Sequence, residues 1–165
     1  MKRIILYITI SLFVVGPLCA QNTKFGHVSP EAIMEQMPGF DTAQNAMQAF
    51  QNELQSDGQM MVKEFQKKQQ EYQDKSATYS ASVKKIKEDE LASMYQRIQN
   101  FSDSMEEKLE QKKYELLLPF QTKILDAIKI VAKEGGYTYI FNKSILSYSA
   151  KGDDISEKVK AKLGI

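Results

Sequence analysis

The 165-residue chain has one cysteine, one histidine and no tryptophan. Cys19 falls in a leader expected to be cleaved, so the mature chain can form no disulfide, thiol nucleophile or cysteine-based metal site. His27, with no cysteine to join it, reads as a packing or surface residue rather than a catalytic base or metal ligand. Charge of one sign is also lacking: 22 basic residues face 21 acidic ones, a net +1. Such a balance argues against general nucleic-acid binding. No G-x-x-x-x-G-K-[ST] loop occurs, and no pair of carboxylates stands out among the many acids. Neither an enzyme nor a cofactor is expected. A hydrophobic content of 42% with 26% charged residues excludes a many-span membrane protein, and is less polar than a disordered chain.

The one long apolar run is residues 4–15, interrupted only by Thr9 and Ser11. Lys2 and Arg3 precede it, and Gly16-Pro17-Leu18-Cys19-Ala20 follows. A basic start, a short apolar core and a small residue before the cut describe a secretory signal peptide, with cleavage between Ala20 and Gln21. A permanent membrane anchor would need ~20 apolar residues. Cys19 raises lipoprotein anchoring as the minor alternative, against which stands the bulky Leu18. Without Lys2 and Arg3, +1 less these two charges leaves the mature chain at −1. Lacking disulfides, this exported chain must draw stability from long helices or from oligomerisation.

Proline and glycine are scarce where the chain is most polar. Lys24-Phe25-Gly26-His27-Val28 predicts a short strand, and Ser29-Pro30-Glu31 opens a short helix that Pro38-Gly39 ends. Asp41-Thr42-Ala43-Gln44 then resembles a capping box. From there to about Thr78 no proline occurs, and Gly58 is the only glycine. Met47, Phe50, Leu54, Met61, Phe65, Tyr72 and Tyr79 recur at helical spacing, with Gln, Lys, Glu and Ser on the remaining faces. A second stripe runs through Leu91, Met94, Ile98, Phe101 and Met105, and continues to Val131. Two such helices, each polar on most of its circumference, pair along one seam as an antiparallel hairpin standing in water. The Ser- and Thr-rich stretch beginning at Ser76 places the reversal within residues 76–85. Pro119 is expected to bend the returning helix.

Gly135-Gly136 ends that helix. Residues 137–141 and 145–148 read as a β-hairpin around Asn142-Lys143-Ser144. Asp154-Ile155-Ser156-Glu157 resembles another capping box, opening a last helix. The fold expected is therefore mainly α with a small β body, into which a long helical hairpin is inserted. Residues 1–20 are the leader, 21–40 and 135–165 the body, and 41–134 the hairpin. Three short strands and two short helices are too little core to stand alone. Phe25, Val28, Tyr139, Phe141 and Ile145 are the residues expected to build an oligomeric body, because short sheet edges invite pairing with other copies.

Each conspicuous residue also has a plain structural explanation. Met61, Met94 and Met105 read as seam packing. Met60, Tyr72, Tyr79, Tyr95 and Tyr114 are candidates for a diffuse surface that accepts many apolar sequences. Glu88-Asp89-Glu90 reads as solvated charge, since consecutive helical residues diverge. Lys75, Lys84, Lys85 and Lys87 make the hairpin tip locally basic.

The order of elements, the opening Lys24-Phe25-Gly26-His27-Val28-Ser29, Met37-Pro38-Gly39-Phe40, Leu117-Leu118-Pro119-Phe120, Val131-Ala132-Lys133-Glu134-Gly135-Gly136-Tyr137 and the terminal Lys162-Leu163-Gly164-Ile165 together resemble the Skp (OmpH-like) family of periplasmic chaperones. The resemblance spans essentially the whole mature chain. It implies a jellyfish-like homotrimer whose arms surround a cavity. There the family holds unfolded outer-membrane β-barrel proteins without ATP and prevents their aggregation in transit. The best-known members are strongly basic and this chain is not, so contact with membrane or lipopolysaccharide is not carried over. The competing expectation is a structural coiled-coil scaffold or spacer of the envelope, with a closed seam and no surplus apolar surface.

Overall fold

The computed structural model describes residues 23–149 and 152–165. The leader, with Cys19 and the proposed cut at Ala20 and Gln21, lies outside them. Along the chain, β1 (Phe25–Val28) leads into a one-turn helix α1 (Pro30–Met34) and then into α2 (Phe40–Lys75). A 3-10 turn at Ser76–Thr78 reverses the direction, and α3 (Ala81–Gly135) returns. The strand β2 (Tyr139–Asn142), a 3-10 turn (Lys143–Ile145), β3 (Asp153–Asp154) and α4 (Ser156–Leu163) complete the body.

The two arm helices are long because nothing in them stops a helix. α2 has 36 residues, about 54 Å at 1.5 Å per residue. α3 has 55 residues, about 80 Å. Pro119 lies within α3 without ending it. The reversal is held by local bonds: the Thr78 hydroxyl donates to the Lys75 carbonyl, and Ser80 caps α3 by accepting from the Val83 amide. The start of α2 differs from expectation. Gly39, with φ +89°, precedes the first helical residue Phe40, and Asp41 serves as first-turn negative charge rather than as a cap.

The sheet corrects the expected β-hairpin. β1 is central, in the order β2-β1-β3, and both neighbours run parallel to it. The segment 145–148, expected as a strand, is not one. Asn142 accepts from the Ser144 amide, an Asx turn that tightens the chain into a 3-10 helix instead of a two-residue hairpin. Ile145 ends that turn 72% exposed, outside the sheet. The chain then crosses to the far edge, where Asp153 and Asp154 pair with Gly26 and His27. Asp154 therefore serves as strand residue and turn acceptor at once, receiving the Ser156 amide at the start of α4.

One face of the sheet meets the helices. Val28, Ile33, Met34, Met37, Ile124, Ala127, Val131, Tyr137, Ile155 and Val159 form the core. Ile124, Ala127 and Val131 come from the last turns of α3, so the root of the arm is part of the body's interior. A Schellman motif ends α3: Gly136 is left-handed at φ +62°, and the Tyr137 amide donates to the Ala132 carbonyl. That turn drops the Tyr137 ring into the core edge. Its hydroxyl donates to Asp153 Oδ2 at 2.8 Å and accepts from Lys158 Nζ at 3.1 Å, while Lys24 Nζ sits 4.2 Å above its ring. One side chain thus joins both ends of the body to the base of the arm.

Candidate functional site on the arms and the sheet face

The seam of the arm is Met47, Phe50, Leu54, Met61 and Phe65 on α2 against Leu91, Met94, Ile98, Phe101 and Met105 on α3. Leu54 and Met94 are buried and the others half-buried, as befits two helices paired without a third layer. The seven-residue gaps in the α2 stripe are occupied, though not by apolar side chains. Gly58 fills the first gap, and a Cβ built on it would lie 3.3 Å from Phe101 Cε1. Lys68 fills the second and bridges the helices to Glu90, which Lys87 also contacts at 2.9 Å. Tyr72 donates to Glu88, and its ring lies 6.3 Å from that of Tyr79. The distal third of the arm is therefore clasped by polar bonds, the proximal two thirds by apolar packing.

The clasp shifts its members as hydrogen bonding to a charged form should. The bonds from Lys68 and Lys87 hold Glu90 down at about 2, against an ordinary 4.5. The bond to Glu90 raises Lys68, and the bond to Glu88 raises Tyr72. Two cations of the basic tip are paired locally, Lys85 with Asp89 and Lys87 with Glu90.

The five residues expected to form a diffuse surface divide into two groups. Met60, Tyr95 and Tyr114 point outward, 59%, 54% and 62% exposed. Tyr72 and Tyr79 are half-buried against each other near the tip. The exposed three are spread along the arm: Tyr95 and Tyr114 are nineteen residues apart on α3, about 28 Å. Sequence periodicity did not reveal a groove on one flank of the seam, of about 550 Å³. Val62, Ile98, Phe101 and Met105 give it an apolar floor, and Gln55, Gln59, Gln66 and Ser102 line it with neutral polar groups. Its origin is the seam position at Gly58, and the isolated glycine was the available signal.

On the body, Val28 points into the core while Phe25, Tyr139 and Phe141 cover the opposite sheet face. Parallel register sets Phe25 beside Tyr139 and His27 beside Phe141. The three aromatic rings pack with centroids 6.0 to 6.3 Å apart, all on exposed residues. His27 is buried beside them, its Nε2 3.6 Å from Asp154 Oδ2. Among the described residues, no cluster of His, Cys, Asp and Glu could hold a metal ion, and no helix is long and apolar enough to cross a membrane.

A three-stranded parallel body bearing a two-helix arm, with an exposed aromatic sheet face, defines an arm-bearing class of fold. The family model "Outer membrane protein (OmpH-like)" matches residues 24–163. The chain belongs to this OmpH-like family of outer membrane chaperones. It is similar to the chaperone protein Skp of Yersinia enterocolitica, 23% identical over 163 residues that cover 96% of this chain and 97% of that one. Its fold is also similar to the crystal structure of a candidate OmpH-like outer membrane chaperone from Caulobacter crescentus. The TM-score is 0.68 over 86% of this chain and 83% of that one, at 10% identity.

Proposed function

We propose that the chain is an ATP-independent periplasmic holdase that keeps unfolded outer-membrane β-barrel proteins from aggregating on their way to the outer membrane. The observation that carries this reading is the surplus of exposed apolar side chains away from the seam, including Met60, Tyr95 and Tyr114. A spacer rod would close its seam and leave its outer faces polar. Here Met60, Tyr95 and Tyr114 stand apart along the arm, where each contributes a weak contact.

The aromatic face of Phe25, Tyr139 and Phe141 supports assembly into a homotrimer. Among the described residues no helix covers Phe25, Tyr139 and Phe141, which stay exposed, and the sheet is too small to stand with them so. Three bodies joined there would set three arms around one cavity, and several weak sites on linked arms hold a client by avidity. Client release then needs no nucleotide, since no single contact is strong. The basic leader with its apolar core supports export to the periplasm and cleavage after Ala20.

The test is light scattering of an unfolded β-barrel protein diluted from urea, without ATP, beside the oligomer mass of the chaperone. A truncation replacing residues 51–100 by a short Gly-Ser turn removes most of α2, the tip and the start of α3, but leaves every body strand. The intact oligomer should suppress scattering and the truncated oligomer should not. Equal protection by both would place client binding on the body and reject the arms.

A further inference from the structure

The groove beside Gly58 has a composition that selects its occupant. We propose that it is a discrete docking site for an extended segment of unfolded polypeptide, one whose side chains alternate between apolar and polar. The proposal rests on the holdase reading and adds to it a defined place on the arm.

Three features argue for an extended strand rather than a helix of a second copy. The first is length. Gln55, Gln59, Val62 and Gln66 follow one face of α2 over eleven residues, about 16 Å, which matches five residues of extended chain. The second is the rim. An unfolded segment carries unpaired backbone N–H and C=O groups, which a helix has already satisfied internally. Three glutamine amides and the Ser102 hydroxyl offer both donors and acceptors to such a backbone. The third is charge. Lys63 is the only charged residue in the lining and no acid is present. A neutral strand of a β-barrel, which alternates lipid-facing and lumen-facing side chains, can therefore lie there without stranding a carboxylate. Its apolar side chains, two residues apart, would meet the floor of Val62, Ile98, Phe101 and Met105. The site exists because Gly58 puts no side chain at its seam position, letting Phe101 lean against the α2 backbone. Any side chain at that position would narrow the groove.

The probe is a fluorescein-labelled ten-residue peptide alternating Phe and Leu with Ser and Thr, bound to the full mature oligomer and followed by anisotropy. Val62→Glu places a carboxylate on the groove floor, whereas Ser56→Glu places one on an exposed face of α2 outside it. Peptide affinity should fall at least tenfold in Val62→Glu and stay within twofold in Ser56→Glu. Should Val62→Glu lose helicity, a photoreactive benzoylphenylalanine at Ser102 supplies the second readout. It should cross-link the peptide, and the same group at Ser56 should not. Equal cross-linking at both positions, or a cross-link from Ser102 to another arm that excess peptide does not displace, would overturn the groove as a client site. Scattering of the full-length β-barrel client separates this proposal from the holdase reading. Suppressed aggregation with peptide binding blind to Val62→Glu rejects the groove alone. Groove-dependent peptide binding without suppression rejects the holdase alone.

Discussion

The ring of Tyr137 occupies the space that a side chain at Gly135 would need: a Cβ there would come within 2.3 Å of Tyr137 Cε2. Gly135 closes α3, where alanine would normally stabilise a helix by about 1 kcal/mol over glycine. The collision outweighs that gain, because the ring is fixed by Asp153, Lys158 and Lys24. Gly135→Ala should therefore destabilise the body by about 1–3 kcal/mol. Gly136→Ala meets open space but a left-handed backbone, and should lose about 1–2 kcal/mol for that different reason. Urea denaturation at fixed protein concentration checks both. Adding Tyr137→Leu should relieve the first defect and leave the second unchanged.

The polar clasp makes the distal arm acid-sensitive. Glu90 is held at about 2 in the folded arm by Lys68 and Lys87, against an ordinary 4.5. A depressed carboxylate contributes stability that is complete above its unfolded value and fades as pH falls toward its folded value. Between about pH 4.5 and pH 2, the clasp should progressively release. Hydrogen exchange adjusted for intrinsic pH dependence should show amides near Lys68 and Glu90 losing protection in this window before those near Met47 and Leu116. Glu90→Gln should remove the difference. An equal loss along the whole arm would refute a local clasp.

The proposed assembly separates two kinds of body residue. Val28 faces the core at 2% exposure, so Val28→Asp buries an unpaired charge and should unfold the body outright. Phe141 lies on the open aromatic face, where a monomer can solvate an aspartate. Phe141→Asp should keep the helical circular dichroism of the parent at low concentration and lower the mass from trimer toward monomer. Mass measured by light scattering together with the far-ultraviolet spectrum distinguishes these outcomes. A trimer that survives Phe141→Asp would move the interface to another surface.

Much of the architecture could be read from the residues because the arm obeys a single repeating rule. Apolar residues three and four apart define the seam, and a serine-rich break defines the reversal at Ser76–Thr78. The seam positions at Gly58 and Lys68 escaped that rule, since one has no side chain and the other is charged. Both acquire a role only opposite a partner, Phe101 or Glu90. The body was harder to read. A period-two pattern marks a strand but not its direction, and two neighbouring segments suggested an antiparallel hairpin where both partners run parallel to β1. The third strand, Asp153–Asp154, has no β-forming residue. It is a strand because Ile155 and Val159 are anchored in the core and draw the preceding residues along β1. The aromatic character of the open face was visible in Phe25, Tyr139 and Phe141. Ile145, grouped with them on the hairpin reading, lies instead in the exposed turn beyond β2.

Client holding should be insensitive to any one exposed side chain and sensitive to their joint loss. Burying apolar surface yields about 25 cal/mol per Å², so one partly buried Met or Tyr gives at most a few kcal/mol. A full-length client touching several arms keeps most of its contacts when one disappears, whereas a ten-residue peptide seated in a single groove does not. Met60→Ser should therefore leave suppression of aggregation nearly unchanged. Replacing Met60, Tyr95 and Tyr114 together by Ser should raise the chaperone concentration needed for half-suppression several-fold. All three are more than half exposed, and surface changes of this kind typically shift stability by no more than about 0.5 kcal/mol. Only Tyr95 has a ring neighbour, Phe65 at 6.2 Å, so Tyr95→Ser alone serves as the control for seam damage. Oligomer mass and melting temperature measured on the same samples separate lost contacts from lost structure. If the triple variant protects the client as well as the parent, while keeping its mass, the outward apolar side chains are not the holding surface.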